Sequence, residues 1–188
     1  MVATLRVWVH AMPPLSRAAG ASMKMTTLLL TLLLALPAFA THAAAVTFTA
    51  QAGFGGASEG NGTLKFLFGK ARPYHVQSYG RVLTDGTFRL DQTVRFKGKP
   101  PRHRHWMLTM VQPGEYTGTL SDATGAVTGH TQGPRLTLRY RLKGPLVMHQ
   151  TLEMMPDGTV DNAGTITLLG IPVGHLQETI VRTPAATE

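Results

Sequence analysis

The segment RHRHWMLTM, residues 102–110, holds the side chains best suited to bind a metal ion. His103 and His105 are two positions apart, so a β-strand places them on one face about 7 Å apart. Such a pair can share one metal ion, but zinc sites in proteins need three or four protein ligands. We therefore expect solvent-exposed strand histidines and no metal site. The candidates for a third ligand are His75, His130, His149 and His175.

The same region is strongly basic. No acidic residue occurs between Asp91 and Glu115, and such a cluster attracts phosphates or anionic lipid head groups. We predict no nucleic-acid partner, because few aromatic side chains are interleaved for base stacking and no nucleic-acid-binding module is present. The expected structure is a basic hairpin end facing solvent, with an anionic membrane surface as a candidate partner. The cluster comprises Arg95, Lys97, Lys99, Arg102 and Arg104.

Motifs for catalysis are few. No serine stands in a G-x-S-x-G sequence, which argues against an α/β-hydrolase. Glu153 is a carboxylate within an apolar strand, where it could contact a ligand or act as a base if it faces a cavity, or could simply be exposed at an edge. The sequence favours a protein that is not an enzyme, leaves an enzymatic role open, and predicts no cofactor.

The segments that would position these residues alternate between apolar and polar side chains. In residues 88–96, FRLDQTVRF, the apolar residues fall on one face and the charged residues on the other. LTLRYRLK, residues 136–143, has the same pattern, which is typical of strands with one buried face. In residues 102–110, Arg104 and Trp106 share the apolar face, opposite the two histidines. No convincing helical periodicity appears after residue 43.

Short turn signals separate these runs about every ten residues. Connections this short favour successive hairpins, and we predict eight to ten antiparallel strands. The predicted fold is all-β: an antiparallel up-and-down β-barrel of lipocalin or calycin type, since closure removes exposed strand edges. A curved β-sandwich is the alternative. The turn signals are residues 84–86, 112–114, 123–125, 132–134, 143–145 and 156–158.

The N-terminal residues resemble an export signal. After Met23 and Lys24 comes a mainly apolar run, Leu28 to Leu36, and then small residues ending in Ala-Phe-Ala at 38–40. The run is shorter than the about 20 residues of a membrane-spanning helix. We predict that residues 1–43 are an upstream extension plus a signal peptide, cleaved near Ala40 or Ala43.

Charge and cysteine content limit what the chain after residue 43 can be. Loss of residues 1–43 lowers the net charge from +8 to +5. The chain has no cysteine, so it has neither a disulfide nor the cysteine of a lipoprotein anchor. We predict a Gly- and Ala-rich arm or first strand at 44–61, one barrel domain at 62–183 and a disordered tail at 184–188. The expected location is periplasmic or secreted.

From Gly80 to Arg182 the order of special residues resembles the bacterial family called domain of unknown function 3833. The resemblance implies a small exported protein with a lipocalin-like barrel, and it implies no established activity. Two features depart from the family pattern: the lipobox cysteine is absent, and HQTLEMMPDG replaces an acidic D-x-W-like step. The matching residues are Asp85, Gly86, Thr87, Leu90, Asp91, Arg104, His105, Trp106, Tyr116, Gly118, Asp122, Gly125, Gly129, Gly133, Tyr140, Asn162, Gly170, Val173 and Gly174.

A small barrel either fills its interior with side chains or leaves room for one ligand. We predict that it binds a fatty acyl or similar apolar ligand in the cell envelope, with the basic hairpin near the mouth. The alternatives are an accessory to a lipid-modifying enzyme and an envelope assembly factor without a ligand. The sequence does not define the oligomeric state. The predicted ligand-binding residues are Arg104, Trp106, Tyr116, Tyr140 and Glu153.

Overall fold

Ten strands and one short helix make up residues 46–183, the part of the chain that this computed structural model describes. The predictions for residues 1–43 and 184–188 lie outside the described residues. The elements are α1 Ala50–Phe54, β1 Gly56–Phe66, β2 Arg72–Val82, β3 Phe88–Phe96, β4 Arg102–Gln112, β5 Glu115–Leu120, β6 Thr124–Gln132, β7 Arg135–Arg141, β8 Leu146–Met154, β9 Val160–Leu168 and β10 Ile171–Arg182.

Every strand pairs antiparallel with its neighbour in sequence, and β1 pairs with β10 to close the barrel. The predicted all-β up-and-down barrel is therefore confirmed, and the alternative of a sandwich is wrong. Closure leaves no unpaired edge among the described strands, as expected for a sheet whose successive hairpins curl until the first and last strands meet.

The predicted faces are also confirmed. In β3, Phe88, Leu90 and Val94 are buried while Arg95 is exposed. In β4, Trp106 and Leu108 face the interior, and the two histidines face solvent. The cause is the two-residue repeat of a strand, which sends alternate side chains to opposite sides of the sheet.

The barrel has two distinct ends. At the end covered by α1, here called the α1 end, lie the β2–β3, β4–β5, β6–β7 and β8–β9 turns. The opposite end, here called the far end, carries five connections. They span residues 67–71, 97–101, 121–123, 142–145 and 169–170. The basic cluster is at the far end, because residues 97–101 connect β3 to β4 there.

The first strand begins earlier than the predicted domain boundary at residue 62. Residues 56–61 lie in β1 and pair with both β2 and β10. The segment lacks an apolar alternation because glycines occupy its inward positions 60 and 62, and side chains of neighbouring strands fill the space beside them. Thr49 caps the helix before it, accepting a hydrogen bond from the Ala52 amide at 2.9 Å.

The interior is mainly apolar. One large cluster includes Phe48 and Phe54 from the α1 segment, and a smaller cluster surrounds Tyr74, Val76 and Val94 nearer the far end. Within residues 46–183, no helix is long and apolar enough to cross a membrane.

Candidate functional site

A group of polar side chains interrupts the apolar interior of the barrel, and Gln92 organises the first half of it. The Oε1 atom of Gln92 accepts hydrogen bonds from Arg104 Nε and Trp106 Nε1, each at 2.8 Å. Its Nε2 atom donates to Ser78 Oγ at 3.0 Å. Because β2, β3 and β4 are adjacent, their inward positions come together at this level of the barrel.

The second half crosses β7 to β10 as a chain of hydrogen bonds. The Tyr140 hydroxyl donates to Gln150 Oε1 at 2.7 Å, and Gln150 Nε2 donates to Asn162 Oδ1 at 2.9 Å. Asn162 Nδ2 then donates to Glu178 Oε2 at 2.8 Å. All four residues are buried. Each donor has an acceptor here, as a buried polar network requires. We call the two halves together the polar belt.

Glycine in β1 makes room for the end of this chain. A Cβ atom at Gly60 would overlap the carboxylate of Glu178, and one at Gly62 would overlap the ring of Tyr74. The Tyr74 hydroxyl is buried without a hydrogen-bond partner among residues 46–183, as is Ser58 Oγ. Unsatisfied buried polar atoms are uncommon, and they indicate a place for water or a polar ligand atom.

A cavity of about 30 Å³ lies between the two halves of the polar belt. That volume accommodates one or two water molecules, whereas pockets for small molecules are roughly 300 Å³ or larger. Phe54 of α1 forms part of the wall, so the helix borders the cavity on the α1 side. The polar lining consists of Gln92, Arg104, Trp106, Gln150, Asn162 and Glu178.

Opposite charges line this cavity. Burial raises the pKa of Glu178 above its ordinary value, while the hydrogen bond from Asn162 and the charge of Arg104 act against that rise. No salt bridge joins Arg104 to Glu178 within residues 46–183, and the charge of Arg104 lowers the pKa of Glu178 through space. Burial also raises the pKa of Tyr140 to about 12, which keeps its hydroxyl protonated as a donor.

Atoms with unused hydrogen-bonding capacity belong to both charged groups. Within the described part of the chain, Arg104 donates only through Nε, and Glu178 accepts only through Oε2. The Nη groups of Arg104 are donors, and Glu178 can accept when ionised or donate when protonated. A ligand group that contacts both residues therefore has to accept a hydrogen bond from Arg104. Toward Glu178 it has to donate when the carboxylate is ionised or accept when the carboxyl group is protonated.

The structure brings together three of the five residues predicted to bind a ligand. The rings of Trp106 and Tyr140 meet edge to face with centroids 5.2 Å apart, and Arg104 Cζ lies 5.9 Å from the Trp106 ring centroid. Tyr116 is buried nearer the α1 end, where its hydroxyl accepts from the Ala50 amide at 3.3 Å. It therefore holds α1 rather than joining the polar belt.

Glu153 is not in the interior. It lies on the outer phase of β8, and Arg135 Nη2 donates to its Oε2 at 2.9 Å. The interior carboxylate is Glu178, which the sequence reasoning missed. The signal was present in HLQETI: Leu176 and Ile180 define the inward phase of β10, and Glu178 stands between them. Gln92, Gln150 and Asn162 were missed for the same reason, as polar residues at inward positions.

The histidine pair has no third partner nearby. His103 Nδ1 hydrogen-bonds with Thr93 Oγ1 at 3.1 Å on the outer face. His75 and His130 instead approach Glu59 and Glu115, respectively, within salt-bridge distance. No group of three or more His, Asp or Glu side chains that could hold a metal ion occurs in residues 46–183.

An open groove of about 510 Å³ lies on the outer face of β2, β3 and β4. Its central carboxylate is Asp91, which already pairs with Arg81 at 3.0 Å and with Arg89 at 2.8 Å. Both pairings hold the pKa of Asp91 below its usual value, and the Arg89 hydrogen bond has the larger effect. Because these charges satisfy one another, the polar belt is the better candidate site.

Fold and site together define an antiparallel ten-stranded barrel with an interior polar belt and a small cavity. The family model for a protein of unknown function, DUF3833, matches residues 36–182. The chain belongs to this family, which confirms the resemblance found in the sequence. No curated protein sequence matches the chain.

Two solved structures have a similar fold. One is an S-type phycobiliprotein lyase from Guillardia theta, with a TM-score of 0.57 and 8% identity; the match covers 70% of this chain and 89% of the lyase. The other is a DUF3598 family protein of unknown function from Nostoc punctiforme, with a TM-score of 0.55 and 12% identity. That match covers 73% of this chain and 50% of the other protein. At these identities the likeness concerns the fold alone.

Proposed function

We propose that this barrel binds one small molecule with an apolar body and a terminal polar group, in the envelope of the cell that exports it. The observation that carries the proposal is the placement of Arg104 and Glu178 around one cavity, within the polar belt of a mainly apolar interior. An unpaired buried charge costs several kcal/mol in a protein interior, and a packed barrel needs neither the buried Glu178 nor the half-buried Arg104. A ligand group that pairs with both accounts for them.

The chemistry of the two residues selects the polar group. Arg104 supplies N–H donors, and Glu178 has a raised pKa, so it carries a proton more readily than an exposed glutamate. A carboxylic acid, a primary amide or a hydroxyl group can satisfy both. Fatty acyl compounds with such an end are the ligand class predicted from the sequence, and they remain the leading candidates.

An acyl chain needs more room than the closed barrel offers. The cavity of about 30 Å³ is an order of magnitude smaller than typical ligand pockets. Phe54 forms one wall, and it belongs to a five-residue helix at the end of the barrel. We propose that the ligand enters when α1 moves and that the acyl chain takes the space of the Phe54 ring.

Export rests on the signal-like residues 23–43. Fractionation of the host cells, with the mass of the purified protein, tests it. We expect the protein in the periplasm or medium with its N-terminus after Ala40 or Ala43. Recovery of the uncleaved chain from the cytoplasm would contradict this part of the proposal.

Binding is testable through Trp106, whose indole lies in the polar belt. In a full chain carrying Trp8→Phe, Trp106 is the remaining tryptophan. We expect dodecanoic acid, dodecanamide and dodecanol to change its fluorescence, and dodecane to have a much weaker effect. Arg104→Met should lower the affinity at least tenfold, while Arg95→Met, on the outer face of neighbouring β3, should not change it.

The filled interior favours a second candidate function. A barrel without a ligand could act in the assembly of the envelope, with its polar belt serving only to fix the fold. In that case none of the four probes would bind to the wild-type chain or to Phe54→Ala, in which the cavity is larger. That result would overturn the ligand proposal and favour the assembly role.

A further inference from the structure

Two neighbouring loops at the far end of the barrel expose large apolar side chains. Phe68, between β1 and β2, is fully exposed, and Leu169, between β9 and β10, is 84% exposed. The loops are adjacent because β1 pairs with β10, and the Leu67 amide donates to the Val173 carbonyl at 3.0 Å. The exposed apolar residues of the two loops are Phe66, Leu67, Phe68, Leu168, Leu169 and Ile171. We call them the apolar loops.

The backbone conformation at position 169 is unfavourable for a leucine. Leu168 pairs with Ile171, so Leu169 and Gly170 form a two-residue turn, with φ values of 50° and 85°. Turns of this kind favour Asn or Gly at the first position. Leu169 is the only residue other than glycine with positive φ in residues 46–183. The turn thus places a large apolar side chain in solvent, in a conformation that leucine disfavours.

Basic residues surround the apolar loops at the same end. Lys70 shares the β1–β2 loop with Phe68, and Lys97 and Lys99 lie in the β3–β4 loop beside it. Asp122 is the one acidic residue among the described far-end positions, and it pairs with Arg102 at 3.3 Å. The exposed basic residues at this end are Lys65, Lys70, Arg72, Lys97, Lys99, Arg102, Arg141 and Lys143.

The α1 end differs in charge although it also exposes some apolar side chains. Val82, Val111 and Val181 are each about half-exposed there. Acidic residues are interspersed among the basic ones in that half of the barrel. They are Glu59, Asp85, Glu115, Glu153, Asp157 and Asp161. Only the far end therefore combines protruding aromatic and aliphatic tips with nearly uniform positive charge.

We propose that the far end of the barrel inserts the apolar loops into an anionic lipid bilayer. Apolar side chains gain free energy by leaving water for the acyl boundary, and nearby lysines and arginines are attracted to anionic head groups. A protein partner of complementary shape would need no uniform charge. This inference is independent of ligand binding in the interior, since it depends on exposed loops and not on the cavity.

The absence of cysteine allows single labels to report the orientation. The protein is isolated in the form that accumulates in its host, with Ala71→Cys at the far end or Thr84→Cys at the α1 end, each carrying an environment-sensitive fluorophore. Vesicles of phosphatidylcholine and phosphatidylglycerol contain lipids brominated on the acyl chains. We expect quenching of the label at residue 71 and none at residue 84. Both labelled proteins have the same N-terminus, so the N-terminus cannot cause a difference between them.

Variants of the loops test which residues insert. Phe68→Ser and Leu169→Asn should each lower the partition into anionic vesicles by roughly tenfold, as expected for loss of one large apolar side chain. Lys97→Gln with Lys99→Gln should lower it by about fivefold per charge. The matched control is Val111→Ser, an exposed apolar residue of the α1 end, which should leave the partition unchanged.

Three outcomes would overturn the proposal. The first is equal quenching of both labels, the second is a label at residue 71 that stays in water on anionic vesicles, and the third is unchanged partition of Phe68→Ser and Leu169→Asn. If a protein co-purifies with the wild-type chain but not with the loop variants, the apolar loops bind that protein and not a membrane. Fluorescence of Trp106 with the acyl probes is read separately, so failure here leaves the ligand proposal standing.

Discussion

The side-chain amide of Asn162 donates a 2.8 Å hydrogen bond to the carboxylate of Glu178 in the interior of the barrel. The two residues face each other across β9 and β10. The carboxylate is buried, and its second oxygen has no donor within residues 46–183. The ionisation of Glu178 is therefore coupled to the stability of the barrel.

The first prediction concerns pH. Burial raises the pKa of Glu178 above the ordinary 4.5, so the folded chain holds this proton to a higher pH than the unfolded chain. The free energy of unfolding then falls as pH rises from the ordinary pKa through the raised one. Glu178→Gln keeps an acceptor for Asn162 and lacks this ionisation.

The measurement is urea denaturation of both proteins between pH 4 and 9. Subtracting the free energy of unfolding of one protein from that of the other isolates the contribution of Glu178, because both proteins contain the other carboxylates. Asp91, for example, has a lowered pKa, so its contribution to stability changes with pH in the opposite direction. We expect Glu178→Gln to gain stability relative to wild type as pH rises. A difference that stays constant across this range would show that the carboxylate titrates normally.

The second prediction concerns Gly60. A Cβ at this position would overlap the Glu178 carboxylate, so we expect Gly60→Ala to cost about 1–3 kcal/mol, as overpacking does. Adding Glu178→Ala removes the overlapping group and should restore part of the loss. A double-mutant cycle by urea denaturation measures this coupling; strictly additive effects would mean that residue 60 is limited by its backbone alone.

The third prediction concerns the closure of the barrel by α1. Phe54 is buried, its ring lies edge to face with that of Phe48 at 5.9 Å, and it lines the cavity. Phe54→Ala should cost about 3–5 kcal/mol of stability and should tighten binding of dodecanoic acid. Phe68→Ala, an exposed phenylalanine, serves as the control and should change stability by less than about 0.5 kcal/mol. Weaker probe binding by Phe54→Ala would argue against ligand access from the α1 end.

The fourth prediction concerns the turn at Leu169. Because left-handed backbone costs most residues about 1–2 kcal/mol and asparagine less, Leu169→Asn should raise the free energy of unfolding by roughly 1 kcal/mol. The same substitution at Phe68 removes an exposed apolar side chain without changing such a turn, and it should be nearly neutral. If Leu169→Asn destabilises the protein, the leucine has a structural role in the fold that outweighs its conformational cost.

Part of this organisation was predictable from the sequence. The alternation in β3 and β4 correctly placed Phe88, Leu90 and Trp106 inside and His103 outside, because the faces of a strand follow from local backbone geometry. Arg104 was assigned to the inward face by the same rule, and the structure puts it against Gln92.

Other parts depend on neighbours distant in sequence. The sequence predicts an arm or a first strand at 44–61, because this Gly- and Ala-rich segment has no apolar alternation. Only the adjacent β10 explains the inward glycine at position 60, since the Glu178 side chain fills the space beside it. The sequence reasoning took Glu153 as the one carboxylate within an apolar strand and overlooked Glu178, although Leu176 and Ile180 mark the inward phase of β10. The register of β10 against β9 in the closed barrel decides that Glu178 meets Asn162, and no local pattern specifies that contact.

The sequence by itself determined the fold class, the inward faces of the strands and membership of the family, since each depends on local periodicity and on the order of turn residues. The tertiary structure decided which polar residues meet in the interior, that α1 closes one end, and that the apolar loops share the far end with the basic residues. Those relationships arise from the closure of β1 on β10. Closure brings together residues that are more than 100 positions apart, as with Glu59 and Val181, and no local pattern specifies such contacts.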